Sequence, residues 1–272
     1  MGGQAAAGPG GHARAGRPER PLLASGMLVV TWNVLHRIHA VNWDEPAIRA
    51  WPDERARMAS IAAHVAALGA DVVCLQEVSG DQLAVLRDVV DGEILAAAHP
   101  RVPAYRQRFE APVLRAPAEH LVVIVRGQGA RQVAAATFAE DPGKGYLAVA
   151  LADGTHVITT HVTHGAPHAA QCAVLAAQGA ALAARAAGPA PVIVCGDFNA
   201  DRIVCAARLG PALVAAAPPP ASRPTRPRTA PSAKSQDIDH VFVRGAVPGE
   251  VAVLDGEGRS DHNPVGARVA RG

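Results

Sequence analysis

Between residues 27 and 269 short apolar, β-branched runs recur, and most of them stop at a side chain that can hold a proton or a cation. Residues 27–32 (MLVVTW) run into Asn33, residues 71–76 (DVVCLQ) into Glu77, and residues 156–160 (HVITT) into His161. Residues 191–195 (PVIVC) deliver Gly196-Asp197-Phe198-Asn199. Runs this short and this rich in Val, Ile and Thr read as buried strands, too brief for helices. Residues 93–97, 121–125, 133–138, 238–243, 251–254 and 265–269 predict further strands, and a hairpin joins residues 146–151 to 156–160 across Asp153-Gly154. Helical spacing lies between the strand groups. Met58, Ile61, Ala62 and Val65 share a face within residues 52–67, which Gly69 closes. A second helix opens at Ser79-Gly80-Asp81 and runs to Val90, and Ala-rich residues 167–187 form a third. Strands outnumber helices, which predicts stacked sheets with helices outside them over a simple parallel βαβ series.

The length of 272 residues suits one large domain with a sizeable core, and we expect it at residues 27–272. Residues 1–26 are rich in Gly, Ala, Pro and Arg and lack an apolar core for a secretory leader, so a disordered tail, or a start at Met27, is expected there. The formal net charge of +2 resides in that tail, where Arg14, Arg17 and Arg20 face one acid, Glu19. The remainder is close to neutral, so any surface for a polyanion must be local. Aromatic residues make up 3%, which limits stacking of unpaired bases. Cys74, Cys172, Cys195 and Cys205 form no paired motif and read as buried thiols in a reducing cytoplasm. No apolar run is long enough to span a membrane, and a monomer is the default.

Asn33, Glu77, His161, Asp197, Asn199, Asp239, Asp261 and His262 all stand at or just past strand ends. Each alone has a plain structural reading: a turn Asn, a solvated strand end, an N-cap at Asn199, a polar turn at residues 260–264. Together they supply hard oxygen donors for a small divalent cation and a His–Asp pair for proton handling, which is what phosphoester hydrolysis requires.

Their order adds more. TWNV (31–34), LQEV (75–78), TTHV (159–162), GDFNA (196–200), IDHVFV (238–243) and SDHNPV (260–265) occur in the sequence seen in the endonuclease/exonuclease/phosphatase superfamily. The chain resembles that superfamily from residue 27 to about residue 270, and the passage from TWNVLH through a Trp-containing insert to DVVCLQEV resembles its deadenylase-type branch. The resemblance implies a four-layer α/β/β/α sandwich and a Mg²⁺-dependent hydrolase, with Mn²⁺ as a substitute. It implies that Glu77 and Asn33 hold the metal and that Asp261 completes that site or a second one. Asp197 would orient or activate water, and Asn199 would hold a phosphate oxygen. His262, oriented by Asp239, would be general base or phosphate contact, and His161 would donate to the phosphate. Two departures concern substrate contacts: Glu119-His120 stand where many relatives have Gly, and only Tyr105 and Tyr146 offer a tyrosine for the phosphate.

His164 and His168 lie near His161 but have no zinc-ligand spacing, and read as surface or helix-start residues. Asp201 reads as a helix start, and Lys144 as a strand-end lysine or a phosphate contact. Residues 202–236 read as one loop that carries Arg202, Arg208, Arg223, Arg226, Arg228 and Lys234 with no acid, making it the best local surface for a polyanion. The leading expectation is a phosphodiesterase acting on RNA or single-stranded nucleic acid. A phosphatase or phosphodiesterase for a lipid headgroup, inositol phosphate or nucleotide is the second, and a catalytically inactive scaffold the third.

Overall fold

Strands apolar on both faces need cover on both faces, and the chain provides it with two sheets packed on each other and helices outside each. The structure, a computed structural model, describes residues 26–106, 113–185, 190–227 and 235–271; the expected tail lies outside the described residues except for Gly26. One sheet runs in the order β11 (Ala246–Val253), β12 (Val265–Arg271), β1 (Met27–Asn33), β2 (Val72–Ser79), β4 (Glu119–Val125), β3 (Glu93–Ala98). The other runs β5 (Ala130–Phe138), β6 (Asp141–Leu151), β7 (His156–His161), β8 (Val192–Asp197), β10 (Asp239–Arg244), β9 (Val214–Ala216). Helices α1 (Arg37–Asn42), α2 (Ala47–Ala50) and α3 (Glu54–Ala67) join β1 to β2, and α4 (Gly80–Val89) follows β2. Helix α5 (His168–Arg185) joins β7 to β8, and α6 (Arg202–Leu209) follows β8.

Alternation along the strands assigns the layers. Val29, Val72, Cys74 and Val123 meet Leu147, Val149, Ile193 and Val241 between the sheets. On the outer face of the first sheet, Val30, Trp32, Val73 and Leu75 pack with Ile61 and Val65 of α3 and Leu83 and Leu86 of α4. On the outer face of the second, Ile158, Val194 and Phe242 pack with Cys172, Leu175 and Leu182 of α5 and Cys205 and Leu209 of α6. The result is the expected α/β/β/α sandwich. All four cysteines are free and buried.

The position of the site follows from topology. Each sheet has one parallel pair at its centre, β1 with β2 and β7 with β8. Parallel strands end on the same side, so Asn33 and Glu77 emerge together, and so do His161 and Asp197, which are register partners. Strand β10 is antiparallel and begins at Asp239 opposite Asp197. Just beneath this edge, fully buried Gln76 donates from Nε2 to Thr31 Oγ1 (3.1 Å) and Thr159 Oγ1 (3.0 Å), tying the two sheets together.

Local differences from the sequence reading are informative. Strand β2 does not stop at Glu77 but continues to Ser79 through a register shift between Leu75 and Val78. Ser79 then accepts from Gln82 N (3.1 Å) as the N-cap of α4. Residues 202–236 are not one loop, because α6 and β9 occupy the first part.

His240 gives the fold an acid sensitivity. It is buried between Phe198 and Phe242, with Nε2 2.8 Å from Ala200 O. Burial lowers its pKa from 6.5 to about 4, against the Ala200 contact that favours the charged form. The unfolded chain therefore binds a proton that the folded chain refuses as pH falls from 6.5 to about 4, and stability drops across that window. We expect His240→Gln, which keeps a donor for Ala200 O, to recover about 2–3 kcal/mol of the stability that wild type loses between pH 7 and pH 4. Parallel losses in urea titrations of the two proteins would refute this.

Candidate active site

Two backbone distortions aim the central carboxylates. Glu77 sits at φ 60°, in the left-handed region, at the bulge in β2. A non-glycine residue there is uncommon and signals a side chain re-aimed at some cost. The carboxylate of Glu77 is fixed by Asn33 Nδ2 donating to Oε1 (3.0 Å) and His36 N donating to Oε2 (2.9 Å). Asn33 Nδ2 also donates to Asp197 Oδ2 (3.0 Å), while its own Oδ1 accepts from Leu35 N (2.9 Å). One buried amide thus bridges the carboxylates of both sheets. Asp197 Oδ1 accepts from the backbone N of Asn199, itself at φ 51°. Gly196, at φ 150°, admits no side chain, because a Cβ there would collide with the carbonyl of Thr160.

The loop before β12 is bolted to β1. Ser260 Oγ donates to Asn33 O (2.7 Å), and Trp32 Nε1 donates to His262 O (3.0 Å). His262 Nδ1 pairs with Asp239 Oδ2 at 2.8 Å, which leaves Nε2 facing Asp197 Oδ2 at 3.8 Å and Asp261 Oδ2 at 3.9 Å. Burial pushes the Asp239 carboxyl up to about 6. Burial alone would lower His262, but Asp239, Asp261 and Asp197 outweigh it and lift the imidazole to about 10, so the shared proton rests on the ring. Asp261 is gripped by Arg226, whose Nε and Nη2 lie 3.0 and 2.8 Å from Oδ2, and Arg226 also reaches Glu45 at 3.3 Å.

Across the cavity, His161 Nε2 stands 3.3 Å from Asp197 and 3.9 Å from Glu77. Lys144 Nζ lies 2.6 Å from His161 Nε2 and 2.9 Å from Nδ1. Asn199 Nδ2 donates to Val162 O (2.9 Å) and lies 3.4 Å from His161 Nε2. Behind His161, buried Glu119 lies 3.7 Å from Nδ1 and 2.9 Å from His39 Nε2. Burial would raise the carboxyls here, yet the cations prevail. Glu77 falls to about 2 under His39, His161 and Lys144, and Glu119 falls well below its usual range through bonds from His161 and His39. Asp197 is lowered in the same way by His161, His262 and Lys144.

The structure thus brings all eight strand-end residues to one place. Glu77, Lys144, His161, Asp197, Asn199, Arg226, Asp261 and His262 line a cavity of about 940 Å³, with Asn33 and Asp239 buried behind them. Arg223 is not among them: it pairs with exposed Asp255 in a neighbouring pocket, and Arg228 lies outside the described residues. Tyr146 turns away from the cavity, donating to Gln178 of α5. His168 is the buried first residue of α5, 2.8 Å from Phe198 O, and Asp201 is the N-cap of α6. Glu119 and His39 escaped the sequence reading of the site. The available signal was a carboxylate opening the apolar strand of residues 121–125 at the same edge as Glu77.

The donor set suits a small divalent cation. Glu77, Asp197 and Asp261 offer carboxylate oxygens to one cavity, and Asp197, Asp239 and His262 each place one ligand atom within 4.8 Å of the others. Hard oxygen donors of this kind match Mg²⁺ or Mn²⁺ better than soft metals. His262 Nδ1 and Asp239 engage each other, while Glu77 and Asp261 line the cavity with carboxylates positioned by Asn33, His36 N and Arg226.

Residues 30–262 match the model of the Endonuclease/Exonuclease/phosphatase family. The chain belongs to this family. Its members are hydrolases acting on phosphoesters. Among curated proteins nothing matches the sequence. Among solved structures, a conserved Enterococcus faecalis V583 protein of unknown function is similar at 18% identity and TM-score 0.64, over 90% of this chain and 100% of that one. A Bacteroides thetaiotaomicron mannosyl-6-phosphatase is similar at 17% identity and TM-score 0.65, over 90% and 99%. D. rerio TDP2 complexed with a single-strand DNA product is similar at 15% identity and TM-score 0.62, over 90% and 99%. At these identities the likeness establishes the fold that this family member shares with them. No helix among the described residues is long and apolar enough to cross a membrane.

Proposed function

We propose that this family member is a Mg²⁺-dependent phosphodiesterase acting on RNA or other single-stranded nucleic acid, with residues 27–272 as its catalytic domain. The observation that carries the reading is the meeting of Glu77, Asp197 and Asp261 with Lys144, His161 and His262 in one cavity. Glu77 and Asp261 would hold the metal, with Asn33 and Arg226 fixing their carboxylates. When bound, Mg²⁺, or Mn²⁺ in its place, neutralises charge on the phosphoryl and leaving oxygens. Asp197 orients the attacking water and draws off its proton. His262, held at Nδ1 by Asp239, turns Nε2 to a phosphoryl oxygen. His161, backed by Glu119 and Lys144, faces the opposite side with Asn199 and stabilises the charge that develops there. Four buried free thiols fit a cytoplasmic setting.

A second reading, a small phosphoester such as a nucleotide, inositol phosphate or lipid headgroup, draws on the basic segment. Arg226 is committed to Asp261 and Glu45, and Arg223 to Asp255, so less positive charge faces a polymer than the sequence suggests. Fluorescent single-stranded RNA, matching DNA and bis-p-nitrophenyl phosphate, each with Mg²⁺ or EDTA, separate the readings. RNA cleavage that needs Mg²⁺ is expected. Hydrolysis of the small diester alone would replace the nuclease reading with the second, and inertness towards all three would overturn both.

A further inference from the structure

Of the three tryptophans, Trp32 is fully buried and Trp51 half-buried, but Trp43 is 63% exposed on the rim of the active-site cavity. In a chain with so few aromatic residues, leaving its largest apolar side chain in water calls for a reason. Trp43 caps the C-terminal end of α1, its N–H donating to His39 O (3.0 Å), one turn beyond the imidazole that contacts Glu119. The guanidinium of Arg106 lies over the indole, 4.0 Å from the ring centroid. The lip beneath is pinned by two bonds, Asn42 Nδ2 to Ala104 O and Arg106 N to Asn42 Oδ1, both 2.9 Å. Leu35, Val102 and Pro103 line the same cavity beside polar His39, Glu45 and Arg101.

We propose that Trp43 and Arg106 form the binding site for the nucleobase attached to the nucleotide whose phosphate lies at Glu77 and Asp197. With the Arg106 guanidinium over one face, the exposed planar indole offers its other face to stack flat on a heteroaromatic ring. A cavity of about 940 Å³ holds a phosphate and a base together, within the size of known ligand sites. Pinning the lip before binding reduces the ordering cost of the contact. The assignment rests on the nucleotide-type substrate proposed above, and it explains how a chain poor in aromatics grips a base with one tryptophan.

Calorimetric titration of the whole protein in Mg²⁺ with adenosine 5′-monophosphate and with ribose 5-phosphate tests it without relying on turnover. Wild type is expected to prefer the nucleotide by about 5- to 150-fold, the contribution of stacking one base. In Trp43→Ala the ratio of the two affinities should fall towards one, and Trp43→Phe should keep most of it. A Trp43→Ala ratio equal to that of wild type, no preference in wild type, or a Phe variant no better than Ala would overturn the proposal. If oligonucleotides resist cleavage while the preference holds, the nuclease reading falls and the base site stands. Cleavage of oligonucleotides with no base preference gives the reverse.

Discussion

Glu77→Gln is expected to lower Mg²⁺-dependent phosphodiester hydrolysis by about a thousandfold or more, in a protein that still folds but melts at a lower temperature. The reasoning starts from the backbone. The chain holds Glu77 at φ 60° within a bulged strand, and Asn33 and His36 each donate to one of its oxygens. Such a conformation persists where surroundings over-determine it, and here they set a carboxylate ionised down to about pH 2 against the cavity. Gln has the same shape and keeps one acceptor oxygen, so it fits the site at the cost of one of the two hydrogen bonds from Asn33 and His36 N. It lacks the negative charge that would hold a divalent ion, and losing metal-derived stabilisation of several kcal/mol corresponds to at least about three decades in rate. Raising Mg²⁺ should restore part of the rate. Activity within a few-fold of wild type at equal Mg²⁺ would remove Glu77 from the site.

The second large effect lies outside the cavity. Arg57 of α3 is 3% exposed and uses its whole guanidinium. Nε and Nη2 form a fork with Glu54 (2.9 and 2.6 Å), while Nη1 donates to Val34 O and Arg259 O (both 2.9 Å) and Nη2 to Leu35 O (2.8 Å). Leu35 has φ 58°, so this arginine secures a strained turn after Asn33 and fastens it to the segment that leads into Asp261 and His262. Among the described residues, Arg57→Met leaves buried Glu54 with the longer hydrogen bond from Arg37 (3.4 Å) and strips three carbonyls of a donor. Removing one member of a buried ion pair costs about 3–5 kcal/mol, and a fall of that size in urea unfolding is expected. Arg57→Lys, which cannot form the fork, should fall between the two. A loss below about 1 kcal/mol for the Met variant would show that the two segments hold themselves in place.

What the sequence disclosed follows from how far each signal reaches along the chain. The central strands were legible because runs such as VVCLQ and VIVC are apolar on both faces. The edge strand β5 extends three residues beyond its expected start and β11 five, because residues such as Ala130, Arg131, Pro248 and Gly249 carry no apolar alternation. Short α1 and β9 carried too little periodicity to notice. The eight strand-end residues were legible as a set, since parallel pairs deliver their ends to one edge. The bulge at Glu77 was not, because a φ value leaves no trace in composition. Glu119 pairs with His39 across 80 positions, and Arg226 with Glu45 across 181. Contacts that distant exist only once the sheets are stacked, which is why the basic segment looked freer than it is.

The most direct measurement is the rate of bis-p-nitrophenyl phosphate hydrolysis by wild type and Glu77→Gln side by side, in Mg²⁺, after EDTA, and after Mg²⁺ is restored. A metal-dependent phosphoester hydrolase centred on Glu77 predicts activity in wild type that EDTA abolishes and Mg²⁺ restores, with the variant at least about a thousandfold slower whenever Mg²⁺ is present. Equal rates in the two proteins, or hydrolysis indifferent to EDTA, would contradict it.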